Sequence, residues 1–164
     1  MLESSVILRL DPNQHRESMI NFLTIFFNSP EIFERLPDHE RSGAGVFSRI
    51  VQAISGNVLC YADTQFTSLG QAMPLGGNMM SVHCGHLRSG RRLAVEKTRQ
   101  MGDAIFADFP GLAALVGFTP TEFRGAVHLA KKAGFVQQGI VSKSFRYHEQ
   151  MLDQAILVKE RSDG

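Results

Sequence analysis

TPTEFRGAVHLAKKAGFVQQG, residues 119–139, carries the densest structural signal in the chain. Thr119 can cap a helix, Pro120 fits its first position, and Glu122 stands three residues after Thr119, where a carboxylate reaches back to the cap amide. Phe123, Ala126, Val127, Ala130 and Ala133 then recur at helical spacing, and Gly134 stands where a left-handed residue ends a helix. A strand opens directly at Phe135. The same pattern fits any amphipathic helix running into a strand, so the elements around it decide what it belongs to.

Upstream, residues 112–118 form an almost continuous apolar run, as expected of a strand covered on both sheet faces. Downstream, a turn near 147–150 leads to a final strand over 151–159. At the other end, residues 4–10 alternate as a first strand, and Asp11-Pro12-Asn13-Gln14 is the start signal of a helix whose stripe is Met19, Phe22, Leu23, Phe26 and Phe27. Ser29-Pro30-Glu31 restarts a short helix through Leu36, and residues 38–45 form a loop. Phe47, Ile50, Val51 and Ile54 give 46–54 helical spacing, with enough β-branched content to leave a strand open. Strands over 58–63, 66–73 and 79–87, parted by turns at Asp63-Thr64 and 74–78, make an antiparallel meander. The basic turn Arg88-Ser89-Gly90-Arg91-Arg92 then leads into a helix over 93–106.

Composition bounds what this order of elements can be. A chain of 164 residues with 43% hydrophobic and 20% charged residues suits a single globular domain over 1–164. A formal net charge of +1 argues against a dedicated nucleic-acid binder, so a phosphate ligand must be met by a local patch. The N-terminal MLESSVILRL is short and charged for a signal peptide, and no apolar run approaches the roughly 18 residues of a membrane span. Cys60 and Cys84 lie in strand-like apolar surroundings and are expected as free buried thiols. A cytoplasmic protein, or one packaged from cytoplasm, fits all of this.

Two groups of residues point to chemistry. A strand end, Gly90 and a helix start together present backbone N–H groups and a positive dipole end, and Arg88, Arg91 and Arg92 add charge suited to phosphate oxygens. A solvated basic surface is the alternative. His83 and His86, on the strand before that turn, titrate near neutrality and could act as a base; their opposite parity puts them on opposite sheet faces. Cys84 between them invites a metal site, but adjacent strand residues diverge, and no metal is expected. Tyr147 and His148 could line an acceptor groove or supply an acid, or simply be exposed in a turn.

This order of elements resembles the GNAT (GCN5-related N-acetyltransferase) superfamily over nearly the whole chain. The most specific local match is AVHLAKKAGF, residues 126–135, followed by Gly139; Asp153 before the run 155–158 adds to it. The resemblance implies an α/β (α+β) fold, a mixed and mostly antiparallel sheet flanked by about four helices. It also implies acetyl-CoA as substrate, lying where the strands over 79–87 and 112–118 part. Leu87, Arg88, Gly90, Arg91, Arg92, Leu93, Ala94 and Phe123 would then meet the cofactor, and His83, His86 or Tyr147 would act on an amine of unknown identity. The departures are specific. Arg91 and Leu93 stand where the resemblance leads one to expect turn glycines, with Gly90 out of register. Phe123 and Ala130 stand where many members have an asparagine and an acid tyrosine. A catalytically degenerate scaffold encoded by a bacteriophage, working in head assembly through contact with virion proteins, is therefore the rival expectation. A homodimer is a further partner the resemblance allows, whereas nucleic acid and membrane are not expected.

Overall fold

A computed structural model describes residues 6–162 of the chain. β1 (Ile7–Leu10) leads to α1 (Arg16–Asn28), α2 (Pro30–Phe33) and α3 (Gly43–Ile54). The meander follows as β2 (Leu59–Asp63), β3 (Ser68–Gly76) and β4 (Met79–His86). A 3-10 turn over Arg88–Leu93 opens α4 (Ala94–Asp108), and β5 (Ala114–Pro120), α5 (Arg124–Lys132), β6 (Val136–Tyr147) and β7 (Gln150–Glu160) complete the order. Among the described residues five α-helices, one of them a single turn, stand where about four were expected.

All seven strands form one sheet in the order β1-β2-β3-β4-β5-β7-β6. Every neighbouring pair is antiparallel except β4 and β5. Strand alternation sorts the side chains into two cores. On the front, Met19, Phe22, Leu23, Phe26 and Phe27 of α1 and Val46, Ile50 and Ala53 of α3 cover Cys60, Ala62 and Leu69. On the back, Met101 and Ile105 of α4, with Ala133 and Phe135, cover Tyr61, Ala72, Met80, Leu115, Ala155 and Leu157.

Three local expectations are corrected. Asp11 does not cap a helix: its side chain accepts the Asn13 N–H at 2.8 Å and its carbonyl accepts Gln14 and His15, so the residues form a turn and α1 begins only at Arg16. Thr119 and Pro120 stay in β5, paired with Ala155 and Gln154 of β7, and α5 starts at Arg124 without a side-chain cap. On α3 the buried face is Val46, Ile50 and Ala53, whereas Phe47 and Val51 are exposed. The end of the deciding stretch is as expected: Gly134 has φ +100°, which a side chain would strain, and Phe135 is buried behind it.

Candidate functional site

The site begins where two strands part. β4 and β5 pair only at Met79↔Ala114, Met80↔Leu115 and Ser81↔Val116. Beyond Ser81, β4 remains bonded to β3 and β5 runs on along β7 through Pro120. Among the described residues the facing edges of 82–86 and 117–120 therefore have no strand partner. Such a crevice offers backbone donors and acceptors to an extended amide-bearing chain.

At its far end the basic turn adds charge. Arg88, Arg91 and Arg92 are exposed, Leu93 is half-buried, and Ala94 is buried as the first residue of α4, whose N-terminus has no side-chain cap. That donor set fits a pyrophosphate in charge and helix polarity. One donor is already engaged: the Arg88 N–H donates to Glu31 Oε1 at 2.9 Å. This bond first, with further help from the Arg88 and Arg91 charges, holds the Glu31 carboxyl below its usual range. Gly90 does not face the ligand side. It is buried, and a Cβ there would meet Thr67 Oγ1 at 2.7 Å and the Thr67 carbonyl at 2.9 Å, so its missing side chain serves contact with the protein. Leu87 donates its N–H to the same Thr67 carbonyl and packs against the front core, which leaves its side chain turned from the anion side.

The two histidines occupy opposite faces. On the back, His86 has both ring nitrogens engaged, Nδ1 with Ser68 Oγ at 2.7 Å and Nε2 with Thr98 Oγ1 at 2.9 Å. Burial first, then the Lys97 charge, lowers its pKa to about 4. On the front, His83 lies cross-strand from Gln71 and its side chain makes no hydrogen bond or ion pair among the described residues. Close surrounding protein lowers its pKa, as do the charges of Arg49 and a protonated His86. Water still reaches the ring, which is exposed in the crevice, so the imidazole is a neutral, unoccupied base at pH 7. Beside it, Arg49 of α3 is held by Glu40, reaches Gln71 Oε1 at 3.4 Å and stacks on Phe27 at 5.2 Å.

The front wall comes from the β6–β7 hairpin. Phe123, the residue directly before α5, meets Tyr147 with ring centroids 5.2 Å apart and Phe145 at 6.0 Å. Tyr147 donates its hydroxyl to the Glu34 carbonyl at 2.8 Å, and Arg41 stacks on its ring. Asp38 accepts the N–H groups of His148 and Glu149, both at 2.8 Å, which pins the tip to the loop before α3. The Glu149 amide is the main reason the Asp38 carboxyl is held below its usual range. Tyr147 is thus fixed as part of the wall, and the structure brings it together with Phe123 rather than with His83 or the basic turn.

Cys60 and Cys84 are both free, and burial pushes their thiols up to about 11 and about 12, which removes thiolate character. No group of three or more His, Cys, Asp or Glu among the described residues could hold a metal ion. No described helix is long and apolar enough to cross a membrane. Two hollows, of about 750 Å³ beside Asp38, Arg41 and His148 and about 220 Å³ beside Leu10, Met19 and Phe66, are lined by no residue of 82–86 or 117–120. Sequence reasoning missed Glu31, Glu40, Arg49 and Gln71 at the site. It also missed the buried Asp63–Lys97 pair behind it, although a lysine at the core-facing spacing of Ala94, Thr98 and Met101 was a readable signal.

No protein-family model and no curated protein sequence matches the chain. Solved structures do. The ribosomal-protein-S5-alanine acetyltransferase of Vibrio fischeri superposes with a TM-score of 0.71 at 11% identity, over 99% of this chain and 96% of that one. AAC(6')-Ib, solved with paromomycin and acetyl-CoA, gives 0.70 at 16% identity, covering 97% and 94%. The spermidine N-acetyltransferase of Vibrio cholerae, solved with CoA and spermine, gives 0.65 at 16%, covering 97% and 96%. The fold is therefore that of the GNAT acetyltransferases.

Proposed function

We propose that this chain transfers an acetyl group from acetyl-CoA to an amine in a ternary complex. The observation that carries the reading is the parting of β4 and β5 after Ser81, with the basic turn at one end and the unengaged His83 on its front face. The residues present fit a CoA thioester: the unpaired edges suit its amide-bearing arm, and Arg88, Arg91 and Arg92 around the start of α4 suit its pyrophosphate. The thioester supplies the acetyl group when bound.

The remaining work falls to side chains of the front face. His83 accepts the proton lost by the amine as its nitrogen bonds the carbonyl carbon and the carbon–sulfur bond breaks. Its depressed pKa keeps it unprotonated for that step. Ala130 can give no proton to the departing thiolate, and a thiol pKa near about 8.5 lets solvent protonate it near neutrality. Phe123, Phe145 and Tyr147 wall the acceptor side, while the Glu40–Arg49 pair fixes Gln71 beside His83. Calorimetry with acetyl-CoA tests the reading, using the parent and a variant with Arg88, Arg91 and Arg92 changed to Glu. Micromolar binding lost in the variant is expected; no binding to the parent overturns it.

One observation favours a second reading, a scaffold that acts through protein contact without turnover. Glu31 already occupies the Arg88 amide, and Arg91 and Leu93 put side chains on the turn. Absence of thiol release with any amine of a broad panel, together with copurification with virion or assembly components, would carry it.

A further inference from the structure

We propose that Asp63, Thr67 and Lys97 are positioning residues for the pyrophosphate seat: the buried Asp63 and Lys97, with the half-buried Thr67 between them, form a platform that sets the shape of the turn over Arg88–Leu93. This rests on the reading of that turn as the seat. Asp63, fully buried, accepts four donors at 2.8 Å: the Thr67 and Ser68 N–H groups on Oδ1, and Thr67 Oγ1 and Lys97 Nζ on Oδ2. Lys97 Nζ also donates to Thr67 Oγ1 at 2.8 Å, so one hydroxyl bridges carboxylate and ammonium. Burial opposes the Asp63 charge, but Lys97, Thr67 and Ser68 together outweigh it and hold its pKa low. Asp63 is therefore held as a carboxylate with four donors around it.

The seat rests on this platform at three points. The Leu87 N–H donates to the Thr67 carbonyl at 2.8 Å, which fixes where β4 ends. Gly90 lies so close that a Cβ would fall within 3.0 Å of three Thr67 atoms, one of them the backbone carbonyl oxygen. Lys97 belongs to the first turn of α4, and its Nζ ties the helix start to Thr67 Oγ1 as well as to Asp63. A buried ion pair is a poor way to gain stability, since a well-packed apolar replacement often does as well. It is a good way to fix direction, because Lys97 and Asp63 tolerate one arrangement. The out-of-register glycine is explained too: its missing side chain permits approach to Thr67, while Arg88, Arg91 and Arg92 project from the solvent side.

The test separates the seat from the rest of the site by comparing CoA with pantetheine, which lacks the pyrophosphate. Gly90→Ala pushes the turn off the platform with no change of charge, Thr67→Val removes the bridging hydroxyl at constant shape, and Lys97→Met breaks the pair. Calorimetry on each variant that retains the parent's circular dichroism should show CoA weakened by about tenfold or more, as expected when binding groups are displaced by a fraction of an ångström. Pantetheine affinity should be unchanged, and Thr67→Ser should restore CoA binding. Equal weakening of both ligands, or full CoA affinity in folded Gly90→Ala and Thr67→Val proteins, overturns the proposal. If the parent binds pantetheine and CoA equally, the turn is no seat and the proposal falls while the crevice reading stands; if it binds neither, both fall.

Discussion

The two faces of β4 receive the same side chain and treat it in opposite ways. On the back, His86 meets Ser68 and Thr98, beside an ion pair whose carboxylate already accepts four donors. On the front, three residues earlier, His83 meets an open crevice and keeps both ring nitrogens free of partners among the described residues. Residue type marked both equally. Unspent hydrogen-bonding capacity at a place reached by solvent is what separates a group that can act from one that holds the fold.

The largest effect expected from breaking this contrast is on the back. Asp63→Ala leaves Lys97 charged and buried without its partner, which costs about 3–5 kcal/mol. Chemical denaturation should show the unfolding free energy fall by that amount, through a lower midpoint with the slope unchanged. On the front, His83→Ala should lower kcat/KM for acetyl transfer about 100-fold or more, near 2.7 kcal/mol in the barrier, because proton acceptance is lost. Its unfolding free energy should stay within about 0.5 kcal/mol of the parent, since no bond is broken. The pair of readouts is decisive: a stability loss without a rate loss at His83 would erase the distinction between the faces.

His86→Ala should show the reverse pattern at smaller size. Leaving the Ser68 and Thr98 hydroxyls without their acceptor and donor costs about 1–3 kcal/mol. The pH dependence sharpens the same contrast. In the folded chain His86 titrates at about 4, against 6.5 for the ordinary imidazole, so between those values the unfolded chain binds the proton and the folded one does not. Stability therefore rises as pH goes up through that window and is lost as pH falls through it. His86→Ala should flatten the slope between about pH 4 and pH 6.5. His83, lowered in the same direction but open to water, should add less to that slope and show itself instead in activity, whose acid limb should fall below the ordinary imidazole range.

Much of this architecture could be read from local pattern, and the failures have a common cause. The end of α5 was legible because Gly134 and Phe135 do their work locally, one through its φ and the other by alternation. The start of α5 was not: Thr119-Pro120 is a good helix entry in isolation, but its alignment with Ala155 and Gln154 depends on β7, far along the chain. On α3, Val46, Phe47, Ile50, Val51, Ala53 and Ile54 make an apolar arc about 160° wide at about 100° per residue, broader than the contact it makes, so spacing alone does not choose which flank is buried. His83 and the basic turn were visible as residue types in a strand and a turn. Glu31, Glu40, Arg49 and Gln71 were not, because each reaches the site from a different element and matters only through what it faces.

Glu31 supplies the smallest and most discriminating effect. Its carboxylate caps the Arg88 amide, near Arg88 and Arg91, where the proposed pyrophosphate would place its own negative charge. The same bond keeps the carboxyl below its usual pKa range, so neutralisation by protonation offers no relief near neutral pH. Glu31→Gln keeps the shape and removes the repulsion; CoA should bind about two- to fivefold tighter, the worth of one exposed charge at a helix start. The gain should shrink in high salt, because an exposed charge is screened within about 10 Å at 0.1 M. Pantetheine should bind the variant and the parent alike. Weaker CoA binding by Glu31→Gln would mean that the carboxylate shapes the turn instead of competing for it, and would join α2 to the Asp63 platform as a second support of the seat.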